Sequence, residues 1–66
     1  REQVHRVVAA VLDALPGRYG EALEGKYVDG LSVREIAGRL SLGEKAAESL
    51  LTRARESFRT AIAGML

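Results

Sequence analysis

The sequence predicts an all-α fold of four helices, in which the third and fourth form a helix-turn-helix and the fourth is much the longest. Two observations carry that expectation. Apolar residues recur at i, i+3, i+4 and i+7, the spacing of one buried helix face, and no stretch alternates with the two-residue period of a strand. Turn-forming residues at Pro16, at Asp29-Gly30 and between Ser41 and Gly43 cut the chain into four pieces.

The first helix is expected over about residues 2–14, where Val4, Val7, Val8, Val11 and Leu12, with Leu15 just beyond, line one face. Pro16 biases Leu15 away from helical geometry and suits the first turn of a second helix, over about 16–28. Tyr19, Ala22, Leu23 and Tyr27 share one side of it, while Gly20 and Gly25 each weaken it by about 1 kcal/mol relative to Ala. Asp29-Gly30 is its stop signal.

"LSVREI" opens the third helix, over about 32–40. Ser32 caps its N-terminus and Glu35, three residues on, reaches back to the Ser32 amide, making a capping box; Leu31 and Ile36 occupy the two positions of a hydrophobic staple. Ile36, Ala37 and Leu40 face inward, and the small Ala37 lets a neighbouring helix approach. The fourth helix, over about 44–63, carries Ala47, Leu50, Leu51, Ala54, Phe58, Ala61 and Ile62 in one apolar stripe. Its other face is polar: Lys45, Glu48, Ser49, Thr52, Glu56 and Arg59, with Arg53 and Arg55 on the flanks.

Length and composition exclude several functions. A chain of 66 residues is one domain, 1–66, and buries only about 60% of its unfolded surface, so all four helices must share one core. It opens without Met in what reads as helix, and is taken as a fragment or an excised domain. With no Cys there is no disulfide, thiolate metal site or Cys nucleophile, and a reducing cytoplasm is compatible. His5 is the only His, too few nitrogen ligands for zinc, and reads as a solvated helix residue, so no metal or cofactor is expected. Ser49 has no His at triad spacing, so an enzyme is not expected. No apolar run approaches the ~20 residues of a membrane span and no signal-peptide pattern opens the chain, so no membrane partner is expected.

Charge is asymmetric. Residues 1–30 carry four Lys and Arg against five Asp and Glu, and residues 31–66 carry six against four, within a net charge of +1. The excess lies on the helix-turn-helix half, the right side for nucleic acid, but it is smaller than a stand-alone DNA binder usually carries.

A short helix, a tight turn and a longer helix with a polar outer face is the arrangement that crosses the DNA backbone with its first helix and enters the major groove with its second. The capped end at Ser32, with Arg34 beside it, presents amide hydrogens and a positive dipole end to a phosphate. Lys45, Glu48, Ser49 and Thr52 hold the positions from which bases are read: Lys donates to guanine, Glu accepts from cytosine N4, and Ser or Thr does either. Arg53, Arg55 and Arg59 lie farther along and suit phosphates. As a charge pattern alone these arginines read as ordinary mixed surface charge. Tyr19 and Tyr27 read as core aromatics with a wet hydroxyl rather than base-stacking platforms.

Four linked features run from Leu15 to about Arg59: "LP" followed by "RY" and "EAL", then "YVDGLSVREIA", then "LSLGEKAAES", then "LLTRARESFR". In that order and spacing the chain resembles region 4 of bacterial sigma factors, especially the extracytoplasmic-function group. It implies a cytoplasmic bacterial promoter-recognition domain that binds the upstream (minus thirty-five) element through a C-terminal recognition helix and docks on the beta flap of RNA polymerase. An anti-sigma factor is a further implied partner. The implied DNA-binding set is Ser32, Arg34, Lys45, Glu48, Ser49, Thr52, Arg53 and Arg55. A rival reading keeps the fold as a protein-interaction domain that binds an anti-sigma or regulatory partner without DNA; Glu48 and the low net charge motivate it.

Three departures from the family pattern stand out. Such sequences usually read "LGLSE" at the turn, whereas this one reads "LSLGE", with Ser41 and Gly43 exchanged. Either Ser41 takes the left-handed position that Gly prefers, or it starts the last helix early with Glu44 completing a second capping box. Glu48 and Leu50 stand where Lys and Arg are common. Gly20 and Gly25 stand where bulkier residues are common, on the side that the resemblance assigns to polymerase.

Overall fold

The computed structural model describes residues 2–65, with side chains from Gln3 to Met65. The element order is α1 (Glu2–Ala14), α2 (Tyr19–Tyr27), α3 (Val33–Leu40) and α4 (Glu44–Met65). No strand occurs among the described residues. The fold is all-α, with a helix-turn-helix made by α3 and α4.

α1 turns Val11 fully inward and half-buries Val7, Val8 and Leu12. The sequence pattern placed Val4 on the same buried face, but Val4 is 61% exposed. The other helices leave the first turn of α1 uncovered.

The second helix begins at Tyr19, three residues later than Pro16 suggests. Pro16 instead opens a turn that the Tyr19 N–H closes onto the Pro16 carbonyl at 3.4 Å. Gly17 sits within that turn at φ +60, a left-handed geometry that halts helical winding and suits a residue without Cβ. At its other end α2 stops at Tyr27, and the Val28 and Asp29 amides both donate to the Glu24 carbonyl.

α3 has the expected capping box. The Ser32 N–H donates to Glu35 Oε1 at 2.9 Å and the Glu35 N–H donates to Ser32 Oγ at 3.1 Å. Its C-terminus resolves the alternatives at the turn: Ser41 has φ 58 and ψ 45, the left-handed cap. The Leu42 N–H donates to Ala37 O at 2.8 Å and the Ser41 N–H to Gly38 O at 3.3 Å, the paired bonds of a Schellman motif. Gly43 then occupies the N-cap position of α4, its carbonyl accepting from the Ala47 N–H at 3.0 Å.

Small residues set the packing. Ala22, Ala47 and Ala54 are 0% exposed and Ala37 is 3% exposed, so helix axes can close until Leu23, Ile36, Leu40 and Leu51 interlock between them. α4 packs against α1, α2 and α3, whereas α1 and α3 do not pack on each other. Twenty-two residues at 1.5 Å rise make α4 about 33 Å long. The longest dimension of the molecule is 34 Å, so α4 spans it from end to end.

Candidate nucleic-acid interface

The buried stripe of α4 determines what its other side presents. With Ala47, Leu51 and Ala54 facing the core, a rotation of about 100° per residue puts Lys45, Ser49, Thr52 and Glu56 on the opposite side. All four are exposed, as are Glu48 and Arg53 beside them. The side chains of Lys45, Glu48, Ser49 and Arg53 make no hydrogen bond or ion pair with other described residues. They face outward unobstructed, and the ~12 Å width of a B-DNA major groove admits a helix presented this way.

Other members of the set are already engaged. Thr52 Oγ1 donates to the Glu48 carbonyl at 3.0 Å. Arg34, its side chain 87% exposed, lies 4.0 Å from Glu44 across the turn. That contact brings the start of α3 beside the start of α4, so the two helix N-termini form one edge of the molecule. Within the capping box Ser32 accepts at its hydroxyl oxygen and donates its own N–H, which leaves the hydroxyl proton to donate elsewhere. The first-turn amides of α3 on Val33 and Arg34 have no intrahelical acceptor to bond and are further donors for an anion. The Glu35 carboxyl is held below its ordinary range, first by the Ser32 backbone N–H, then by the Ser32 side chain, with the Arg39 charge adding a smaller push.

Arg55 departs from the rest of the set. It sits roughly 70° from the buried stripe and is half-buried. Its Nη1 donates to the Tyr27 hydroxyl at 3.1 Å, at the end of α2. There Arg55 and Arg59 border an apolar groove of about 400 Å³ lined by Val8, Leu12, Tyr27, Val28, Phe58 and Ile62. Tyr27 and Val28 are 61% and 67% exposed within it. On the opposite flank Arg53 shares a shallow cleft with Arg18, Tyr19, Leu42, Ala46 and Leu50.

Sequence reasoning did not identify Tyr27 as the partner of Arg55, because 28 residues separate them. It likewise did not bring Arg18 to the same cleft as Arg53. The two glycines of α2 differ in structural role. A Cβ on Gly20 would lie 2.4 Å from the Leu12 carbonyl oxygen, so its absence permits the α1–α2 crossing. A Cβ on Gly25 would meet Ile36 and Leu31 at ordinary contact distance, so that position has room for a methyl.

A family profile for sigma-70, region 4, matches residues 5–58. The chain belongs to the sigma-70 region 4 family. The family is a promoter-recognition, DNA-binding component of RNA polymerase sigma factors, and the match covers most of α1, all of α2 and α3 and most of α4. No curated protein and no solved structure gives a significant match. No described helix of this region 4 domain is long and apolar enough to cross a membrane.

Proposed function

We propose that the chain is region 4 of an extracytoplasmic-function-group sigma factor, acting in the bacterial cytoplasm by binding rather than catalysis. In this reading α4 lies in the major groove of the minus thirty-five element. Lys45, Glu48, Ser49 and Thr52 face base edges, Arg53 reaches a phosphate, and Ser32 and Arg34 sit over the backbone at the start of α3. The observation that carries the reading is the uncovered polar face of α4 opposite the buried Ala47, Leu51 and Ala54. Arg55, held by Tyr27, contributes charge at the flank.

The apolar groove bordered by Arg55 and Arg59 supports docking on the beta flap, since a soluble domain exposes few apolar surfaces of this kind without a partner. An anti-sigma factor would compete for the same surface. With a net charge of +1 the free domain neutralises few phosphates and binds DNA weakly. Polymerase tethering then supplies the missing affinity as an effective concentration, on the order of mM for a short connection.

The test is a promoter-duplex titration at several salt concentrations. Binding should fall with salt at the modest slope that a few phosphate contacts give, and Arg53→Ala should lower the slope of log K against log salt by about one. Lys45→Ala should cost affinity roughly 5-fold or more on the cognate duplex. A rival reading, a protein-interaction domain without DNA contact, is favoured by the carboxylates of Glu44 and Glu48 beside Lys45. Insensitivity to both substitutions, with the domain fused to the flap, would establish that rival.

A further inference from the structure

The hydrogen bond between Thr52 and the Glu48 carbonyl changes what the middle of α4 can read. A carbonyl only accepts, so the Thr52 hydroxyl proton is committed to it at 3.0 Å, and the hydroxyl has only acceptor lone pairs left for a ligand. Glu48, four residues earlier and therefore its neighbour on the helix surface, is an acceptor as a carboxylate and has no partner among the described residues. Lys45, one turn nearer the N-terminus, is a donor alone. The Glu48–Thr52 side of the reading face thus offers acceptors only, one turn on from the Lys45 donor, while Ser49 beside it keeps a hydroxyl that donates or accepts.

We infer that Glu48 and Thr52 together form a specificity element that selects a cytosine and rejects a guanine at the base they face, a deepening that rests on the DNA-binding reading above. Guanine displays N7 and O6 in the major groove, both acceptors, and would meet two acceptors with no proton between them. Cytosine displays its N4 amine, a donor, which the carboxylate and the hydroxyl lone pairs can accept. The carboxylate, unfavourable beside phosphates, is offset by that amine only on the right sequence. Glu48 therefore acts chiefly against wrong sequences. An unpaired acceptor pushed against guanine gains nothing to replace its water, so rejection is stronger than selection.

The inference is tested by selecting duplexes from a library randomised across the minus thirty-five region with the 66-residue chain at low salt, then sequencing the bound fraction. Total duplex retention is measured alongside. The wild-type chain should deplete guanine about 5-fold or more at one strand position. Glu48→Gln gains an amide donor and should move that position toward adenine, which Gln contacts at N6 and N7. Thr52→Val keeps the shape, loses the hydroxyl and should narrow the guanine depletion. Duplexes retained with the same base preferences in all three chains, or guanine enriched at the position that Glu48→Gln alters, would overturn the inference and leave DNA binding standing. Retention of no duplex at any salt, even with the chain fused to the polymerase flap, would overturn both.

Discussion

At Gly20 a missing side chain matters more than most side chains that are present. Helix propensity alone says that Gly20→Ala should stabilise α2 by about 1 kcal/mol. The geometry says otherwise, because the new methyl would lie 2.4 Å from the Leu12 carbonyl oxygen, a backbone atom that cannot swing aside. Overpacking of this kind costs about 1–3 kcal/mol, so the crossing wins. Gly25→Ala is the matched comparison: its methyl would meet Ile36 Cγ1 at 3.4 Å, ordinary contact, and keep the propensity gain. Thermal unfolding should show Gly20→Ala melting below wild type and Gly25→Ala at or above it. Equal shifts in the same direction would contradict the α1–α2 crossing described here. Neither result was readable from the chain, since Gly looks the same in sequence whether it weakens a helix or admits a neighbour.

At the level of elements, the sequence was most informative where a signal is local. The capping box of α3 spans four residues and is visible as Ser32 and Glu35; the structure has both of its hydrogen bonds. The start of α2 went the other way, because Pro16 is compatible both with the first turn of a helix and with the turn before it. Gly17 at φ +60 decided between them. Val4 keeps the helical spacing of its neighbours, but spacing does not say how far the covering helices reach. Arg55 was read as a phosphate contact from its position on α4, and only the fold brings it to Tyr27.

Two predictions belong to this scale. Ser41 holds a left-handed cap that costs an L-residue roughly 1–2 kcal/mol, and Gly43 stands at an N-cap with open space around it. Ser41→Gly with Gly43→Ser should therefore raise the Tm by about 4–8 °C per kcal/mol recovered, and an unchanged or lower Tm would contradict the cap geometry. The second concerns Glu35, whose carboxyl is held below the ordinary value of 4.5 by its bonds to Ser32. A carboxyl whose folded-state pKa is lowered stabilises the fold above its unfolded value, and that contribution is lost as pH falls through the lowered one. The stability difference between wild type and Glu35→Gln, followed by thermal unfolding across pH, should be constant near neutrality and shrink in acid below about pH 4.5. A difference that grows in acid would contradict the capping box as its source.

For the whole molecule, one long helix does two jobs on opposite sides. α4 runs the full 34 Å length, contributes Ala47, Leu51 and Ala54 to the core, and turns Lys45, Ser49 and Thr52 outward. Its N-terminal half, with the start of α3, forms the proposed DNA edge. Its C-terminal half, with α1 and the end of α2, forms the apolar groove proposed for polymerase. The two surfaces lie on one rigid element, so docking at one aims the other, and a weakly charged domain can read a promoter once held in place. The division of α4 into inner and outer faces was legible from its apolar spacing. The groove was not, because it needs three helices brought together.

The most direct test uses the absence of Cys from the chain, which makes any introduced thiol unique. A DNA-cleaving iron chelate attached at Ser49→Cys on α4, or at Val4→Cys on the far end of α1, is assembled with polymerase on promoter DNA and the cut positions are mapped. The account predicts cuts inside the minus thirty-five element, on the major-groove side, from Ser49→Cys and none there from Val4→Cys. Cutting in that element from Val4→Cys with none from Ser49→Cys would contradict it.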